Sequence, residues 1–294
     1  MPAGRVLLQE KDLFMKRLLT IQDISCLGKC SITIALPVLS AMEIETVILP
    51  TALLSNHTLF PKYTKLDLAD QMMPIARMWK ENGVRFDAIY TGYLGTSDEI
   101  DMTAAIIDLF REEDTPVFVD PVMGDNGKLY RGFPEEYAVR NRKLCAIADI
   151  VVPNITEACL LTGLPYRESY DESYLKDLCG RLCQMGAKTA VITGASLTEG
   201  KTGVYGMEAL SGETFSYQND RIPFSYHGTG DLFACTAAGA ILRGMSVRDA
   251  MRTAADHTAD TIRATRKDPG NPWYGVNFES TIPDLIRRLG KQNF

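Results

Sequence analysis

Short apolar runs rich in β-branched residues recur along the chain at Arg17–Gln22, Thr46–Leu49, Ala88–Thr91, Pro116–Val119, Ile150–Val152 and Thr189–Thr193. Most are separated by stretches whose apolar residues fall at helical spacing. Leu66–Asn82, stopped by Gly83, Asp98–Arg111, Glu172–Met185 and Val247–Lys267 read this way. A run that alternates strand with helix cannot form a hairpin stack. It dictates βαβ units and a mostly parallel sheet covered on both faces. Lys201–Ser225 breaks the alternation, reading as three strands, Thr202–Tyr205, Glu213–Tyr217 and Arg221–Ser225, which we expect as an antiparallel edge. Pro37 interrupts the helical run Ser31–Met42 and is expected to kink it.

With 294 residues, 46% hydrophobic, and no linker or repeat, the chain can bury one large core. The folded domain is expected over residues 15–294, with residues 1–14 as a poorly ordered extension. The balance of 31 basic and 37 acidic residues gives a net charge of −6, which argues against nucleic-acid and anionic-membrane partners. No apolar run is long enough for a transmembrane helix and the start lacks signal-peptide character, so a cytoplasmic location is expected. Seven cysteines without a Cys-x-x-Cys pair fit buried or half-buried thiols rather than disulfides or zinc.

In an open parallel sheet, ligands bind beyond the carboxyl ends of the strands. The residues there are Asp23, Thr91-Gly92-Tyr93, Asp120-Pro121, Asn154 and Thr193-Gly194. Gly194–Thr202 imitates a phosphate-binding loop, but has five residues rather than four between its glycines and continues as strand; it reads as a solvated hairpin loop. His227-Gly228-Thr229-Gly230-Asp231 is more informative. It joins a strand to a helix, Asp231–Arg243, so free amides at the helix start can hold an anion. Asp231 could also be only a helix cap. Asn154 with Glu157 has the spacing of a capping box, and the same side chains could meet phosphate or magnesium through water. Asp120–Asp125 places two carboxylates around a turn, and Gly124–Gly127 suits a lid. Asp256, His257 and Asp260 read as a solvated helix face.

Together, Ser55-Asn56-His57-Thr58, Gly92-Tyr93-Leu94-Gly95, Asp120–Asp125, Pro153-Asn154 with Glu157, and Gly228–Asp231 resemble the pyridoxal kinases of the ribokinase-like superfamily. The resemblance runs from about residue 16 to the C-terminal helix. It implies an α/β three-layer sandwich: a mostly parallel central sheet, helices on both faces and an antiparallel edge. It implies ATP-dependent phosphorylation of the 5'-hydroxymethyl group of pyridoxal, pyridoxine or pyridoxamine. Asp231 would be the general base, with the amides of Gly228, Thr229 and Gly230 holding the transferring phosphate. Asp23, His57, Thr58 and Tyr93 would bind the vitamin. Asp120, Asp125, Asn154, Glu157 and Thr193 would serve ATP, with Asp120 and Glu157 placing Mg²⁺ through water and ATP. K⁺ and a homodimer come with the same resemblance. Asp23, where pyridoxal kinases usually carry Ser, and His227 are features shared with hydroxymethylpyrimidine kinases, the alternative enzyme. A non-catalytic binder of pyridoxal phosphate is the alternative of another class.

Overall fold

The computed structural model describes residues 15–271 and 273–290; the expected extension, residues 1–14, lies outside them. Its core is a nine-stranded sheet. The strands are β1 (Arg17–Leu27), β2 (Glu45–Asn56), β3 (Lys65–Asp67), β4 (Ala88–Thr91), β5 (Val117–Val119), β8 (Ile150–Val151), β9 (Thr189–Ala195), β10 (Lys201–Glu208) and β11 (Thr214–Asp220). Two short strands, β6 (Gly124–Asp125) and β7 (Lys128–Leu129), form a separate hairpin. The sheet order is β11-β10-β9-β8-β5-β4-β1-β2-β3. The central pairs are parallel, and antiparallel pairing closes both edges, at β9-β10-β11 and at β2-β3.

Strand residues alternate between two cores, as the pleat requires. Leu19, Ile21, Ile89 and Val119 pack under α2 (Ala69–Glu81), α3 (Ser97–Phe110), α4 (Glu136–Ile147), α5 (Ile155–Thr162) and α6 (Glu172–Met185). Leu18, Tyr90, Phe118 and Val191 pack on the other face under α1 (Ile32–Ala41), α7 (Thr229–Leu242), α8 (Val247–Lys267) and α9 (Ile282–Gly290). The small residues Ala234, Cys235, Ala237 and Ala238 let α7 lie close between its neighbours, and all are buried. The result is the expected three-layer α/β sandwich.

Several expectations are corrected. The run Leu66–Asn82 is not one helix: its first residues form the edge strand β3, because Leu53 and Leu54 offer an open ladder, and α2 starts at Ala69. β1 does not end at Gln22 but continues to Leu27, with a bulge between Gln22 and Ile24 that sets Asp23 inside the strand. The third edge strand, Arg221–Ser225, is absent; β11 ends at Asp220. Cys26 is exposed, unlike the other six cysteines. The Asp256/Asp260 face is not left to solvent: Arg288 of α9 bonds Asp256 at 2.9 Å and also reaches Asp260, while His257 is buried between Thr236 and Thr281.

The end of the sheet away from the ligand edge is pinned by Asp149. Its carboxylate takes Arg111 (2.9 Å), the Val117 amide (2.8 Å) and Lys188 (2.7 Å), joining α3 to the starts of β5 and β9. Removing it strands a half-buried guanidinium and an amide. Asp149→Ala should therefore cost about 1.5–3 kcal/mol in urea unfolding. A loss under 0.5 kcal/mol would show that solvent substitutes for the carboxylate.

Candidate active site

Of the residues singled out at strand ends, Tyr93, Asp120 and Asn154 follow β4, β5 and β8, whereas Asp23 lies inside β1 and Thr193 inside β9. Asp231 is the third residue of α7, not its cap. The cap is Gly228, in the left-handed region at φ 84°, and it supplies no side-chain hydrogen bond. A Cβ at Gly228 would also lie 1.9 Å from the Lys29 carbonyl, so only glycine lets the chain turn there. No group among the described residues accepts from the amides of Thr229, Gly230 and Asp231. Gly230 is exposed, so these donors face open space. A 14-residue helix ending this way concentrates positive potential on the cleft.

Burial pushes the Asp231 carboxyl up to about 7; the Ser31 amide opposes this, and Asp23 adds to it. Asp23 is itself buried, which raises its pKa, while the hydroxyls of Ser31 and Ser25 draw it back; the Ser25 bond is 2.9 Å. Ser31 thus serves both carboxyls, amide to one and hydroxyl to the other. It does so at φ 47°, an uncommon conformation for a serine and one that concentrates at functional sites. No sequence pattern marks it.

Asp120 follows β5 and is buried. Burial, then Glu157 and Asp231, hold its carboxyl well above the usual range. Glu157 is buried too and pushed up to about 7, despite its backbone donors. The capping box is present: Asn154 Oδ1 accepts from the Glu157 amide at 3.0 Å, and Glu157 Oε2 from the Asn154 amide at 2.9 Å. The other Glu157 oxygen accepts from the Met123 amide at 3.0 Å. Asn154 Nδ2 donates to the Gly124 carbonyl at 2.8 Å, and Thr156 accepts from the Gly127 amide at 2.9 Å. The segment expected as a lid is therefore a hairpin tied to the start of α5. Asp125 stands exposed on it and bonds Asn126. Thr193 lies within β9, bridged to Asn154.

His57 is buried. Its Nε2 is 2.8 Å from the Tyr274 carbonyl and its Nδ1 accepts from the Leu59 amide at 3.3 Å, an assignment that fixes the neutral ring. Its ring packs against His227 at 4.1 Å and Phe60 at 4.9 Å. Thr58 is exposed. Tyr93 is partly buried near Phe133, and burial followed by Asp23 and Glu99 raises its hydroxyl. Two residues of this wall were not singled out in the sequence: Lys65 was placed at the margin of a helix, and Glu99 inside one.

The donor set suits a hard cation: Asp120 and Glu157 are buried, Asp231 is half-buried, and Glu157 and Asp231 both act on Asp120. Among the described residues no group of three His, Cys, Asp or Glu could hold a metal alone. Magnesium held by one carboxylate, water and phosphate needs no such group. A cavity of about 1050 Å³ lies elsewhere, lined chiefly by α8 and α9, and contains none of these residues.

A sequence profile of the phosphomethylpyrimidine kinase family matches residues 64–274. The chain belongs to this family. Within it lie the pyridoxal kinases that the sequence resembles. One from Arabidopsis thaliana is 30% identical over 247 residues, covering 80% of this chain and 76% of that one. A Bacteroides thetaiotaomicron structure, provisionally named a phosphomethylpyrimidine kinase and crystallised with pyridoxal, is 35% identical, with TM-score 0.88 over 92% of this chain and 96% of that one. Pyridoxal kinase from Lactobacillus plantarum is 28% identical, with TM-score 0.86 over 96% and 100%.

The raised carboxyls of this kinase give ligand-free protein a pH signature. A carboxyl that binds its proton more tightly folded than unfolded stabilises the fold where the proton is held. That stability is lost as pH rises from the unfolded pKa, near 4, through the folded one, about 7 for Asp231. The ligand-free protein should melt lower at pH 8 than at pH 6. Asp231→Asn should melt above the parent at pH 8, with the gap closing by pH 5. A gap constant across that range would mean Asp231 titrates as an ordinary carboxyl.

Proposed function

We propose that this chain is an ATP-dependent vitamin B6 kinase, phosphorylating the 5'-hydroxymethyl group of pyridoxal, pyridoxine or pyridoxamine. The observation that carries the reading is Asp231, raised to about 7, as the third residue of an uncapped helix whose amides face the cleft. The substrate hydroxyl gives its proton to Asp231 as its oxygen attacks the γ-phosphorus of ATP and ADP departs. The amides of Gly228, Thr229 and Gly230, with that of Asp231, hold the equatorial oxygens. Phosphoryl transfer asks mainly for such positioning and charge.

ATP lies along Asp120, Asp125, Asn154 and Thr193. Mg²⁺ supplied with ATP would provide neutralisation of the phosphate charge. Asp120 meets it through water, and Glu157, its oxygens committed to amides, contributes charge and holds Asn154 and the hairpin. K⁺ is a further candidate cation. Asp23, His57, Thr58 and Tyr93 line the vitamin pocket, and Asp23 accepts from the protonated pyridine nitrogen. The names and bound pyridoxal of the relatives support the substrate class.

A homodimer suits the flap formed by β1, β2 and β3, whose outer face carries Ile24, Leu53 and Leu66 in register; Leu53 and Leu66 are exposed. Seven unpaired cysteines support a cytoplasmic setting, and no helix among the described residues is long and apolar enough to cross a membrane. Hydroxymethylpyrimidine kinase is the second reading, favoured by Asp23, by His227 and by the family match. An intact anion-holding loop speaks against a non-catalytic pyridoxal-phosphate binder.

ATP consumption measured with the three vitamers and with hydroxymethylpyrimidine decides the substrate. Turnover of the pyrimidine alone would replace the first reading with the second. Asp231→Asn should fold and lose roughly 10²–10⁴ in kcat; near-parental turnover would remove the base assignment. Asp23→Ser should lower kcat/KM for the true substrate by roughly 10–100-fold, with KM for ATP little altered. An unchanged preference between pyridoxal and hydroxymethylpyrimidine would reduce Asp23 to a structural partner of Ser25.

A further inference from the structure

Lys65 sits on the edge strand β3, where a lysine ordinarily extends into water. Here its backbone is in register with Leu54, and Leu54 with Ser25, so the three share the face that carries the Ser25–Asp23 hydrogen bond. The ammonium lies close enough to Asp23 to oppose the effect of burial on that carboxyl. It also reaches Gly95. A Cβ added there would meet Lys65 Nζ at 2.8 Å and Glu99 Oε1 at 3.5 Å. Ammonium and carboxyl thus converge on a space that any side chain at position 95 would fill.

Glu99 makes the arrangement unusual. It is completely buried; Oε2 accepts from the Gly95 amide at 2.6 Å, while the buried Oε1 has no hydrogen-bond partner. A buried, unpartnered carboxylate oxygen is costly. Asp67 lies 3.6 Å from the same ammonium. Three acids, Asp23, Glu99 and Asp67, therefore act on the ammonium of one lysine that remains exposed at the edge of the flap.

We propose that Lys65 is a specificity-determining residue that binds the ionised 3-oxygen of a pyridinol ring, and that Glu99 positions it. The inference rests on the vitamin B6 reading above. A neutral-pH B6 vitamer carries a pyridinium N–H and a phenolate oxygen on one edge of its ring, with the methyl-bearing ring carbon between the nitrogen and the carbon that holds the oxygen. Asp23 accepts from the first and Lys65 donates to the second, so opposite charges in the ligand meet opposite charges in the wall. Hydroxymethylpyrimidine has a ring amino group and no ring oxygen. It would leave the Lys65 ammonium without its acceptor.

A cycle of parent and Lys65→Met against pyridoxine and 3-deoxypyridoxine tests this through kcat/KM. The parent should lose roughly 10–100-fold on the deoxy analogue. Lys65→Met should lose a similar factor on pyridoxine and almost nothing more on the analogue, the mark of a coupled pair. A parent indifferent to the 3-oxygen overturns the proposal without any variant. So does a folded Lys65→Met that keeps the parent's preference for pyridoxine. Lys65→Arg, which keeps the charge, should retain part of that preference. Glu99→Gln should raise KM for pyridoxine while kcat and KM for ATP hold; parallel loss in all three would give Glu99 a structural role only. If the parent phosphorylates hydroxymethylpyrimidine and no B6 vitamer, the substrate reading falls and this inference with it. If it phosphorylates pyridoxine without coupling to Lys65, only the inference falls.

Discussion

The cleft is organised by an uncompensated charge. Asp120, Glu157 and Asp231 are carboxyls largely withdrawn from water, Glu157 and Asp231 both raise the proton affinity of Asp120, and the bare start of α7 supplies positive potential. Buried carboxyls without counter-charges shift their pKa rather than ionise freely. On the proposed function, the missing charge would arrive with the ligand: metal and phosphate together would satisfy the amides and the acids at once. A site complete without its ligand would have less to gain from binding it. The cost is placed on elements with deep burial behind them, α7 in one core and α5 in the other, so the fold can carry it.

The same logic explains the hairpin. Gly124–Gly127 reads in sequence as a flexible lid because glycine and Asp-Asn-Gly offer no stable local conformation. The structure ties it through Asn154, Thr156 and Glu157, all on the first turn or cap of α5. Those residues have two duties: they satisfy the orphan amides of a helix start and they anchor a loop distant in sequence. The capping box was legible because it is local. The tether was not, because nothing in a window of a few residues records a partner thirty positions away.

This division runs through the whole chain. Strands and helices of the central sheet were legible because parallel strands buried on both faces are continuous apolar runs, and covering helices keep one apolar stripe. The edge was not: Leu66 sits exposed in a strand because β2 has an open ladder, a tertiary cause that outweighs helical spacing. The β1 bulge at Asp23 was invisible for the same reason, and with it the burial of that carboxyl. Of the site, the residues with a local signature, Gly228 to Asp231 and Asn154 with Glu157, stood out. Ser31 and Lys65 did not, since one acts through a strained φ and the other through an edge-strand register.

The two ends of the cleft are built from different materials, and this bears on how one fold serves several substrates. The phosphate end is mostly backbone: amides of Thr229, Gly230 and Asp231, aimed by a glycine whose neighbours leave no room for a side chain. Backbone geometry changes only when the helix moves, so the transfer chemistry is hard to alter by substitution. The ring end is side chain on an edge flap: Asp23 on a bulge, Lys65 on a three-residue strand, Tyr93 in a loop, His57 just past β2. Each can be replaced without disturbing the central sheet. On the proposed roles, a chain with Asp23 beside Lys65 would keep the phosphoryl-transfer apparatus of its family while a few charges set its ring pocket, and selectivity among aromatic alcohols would be decided on the flap rather than at Asp231.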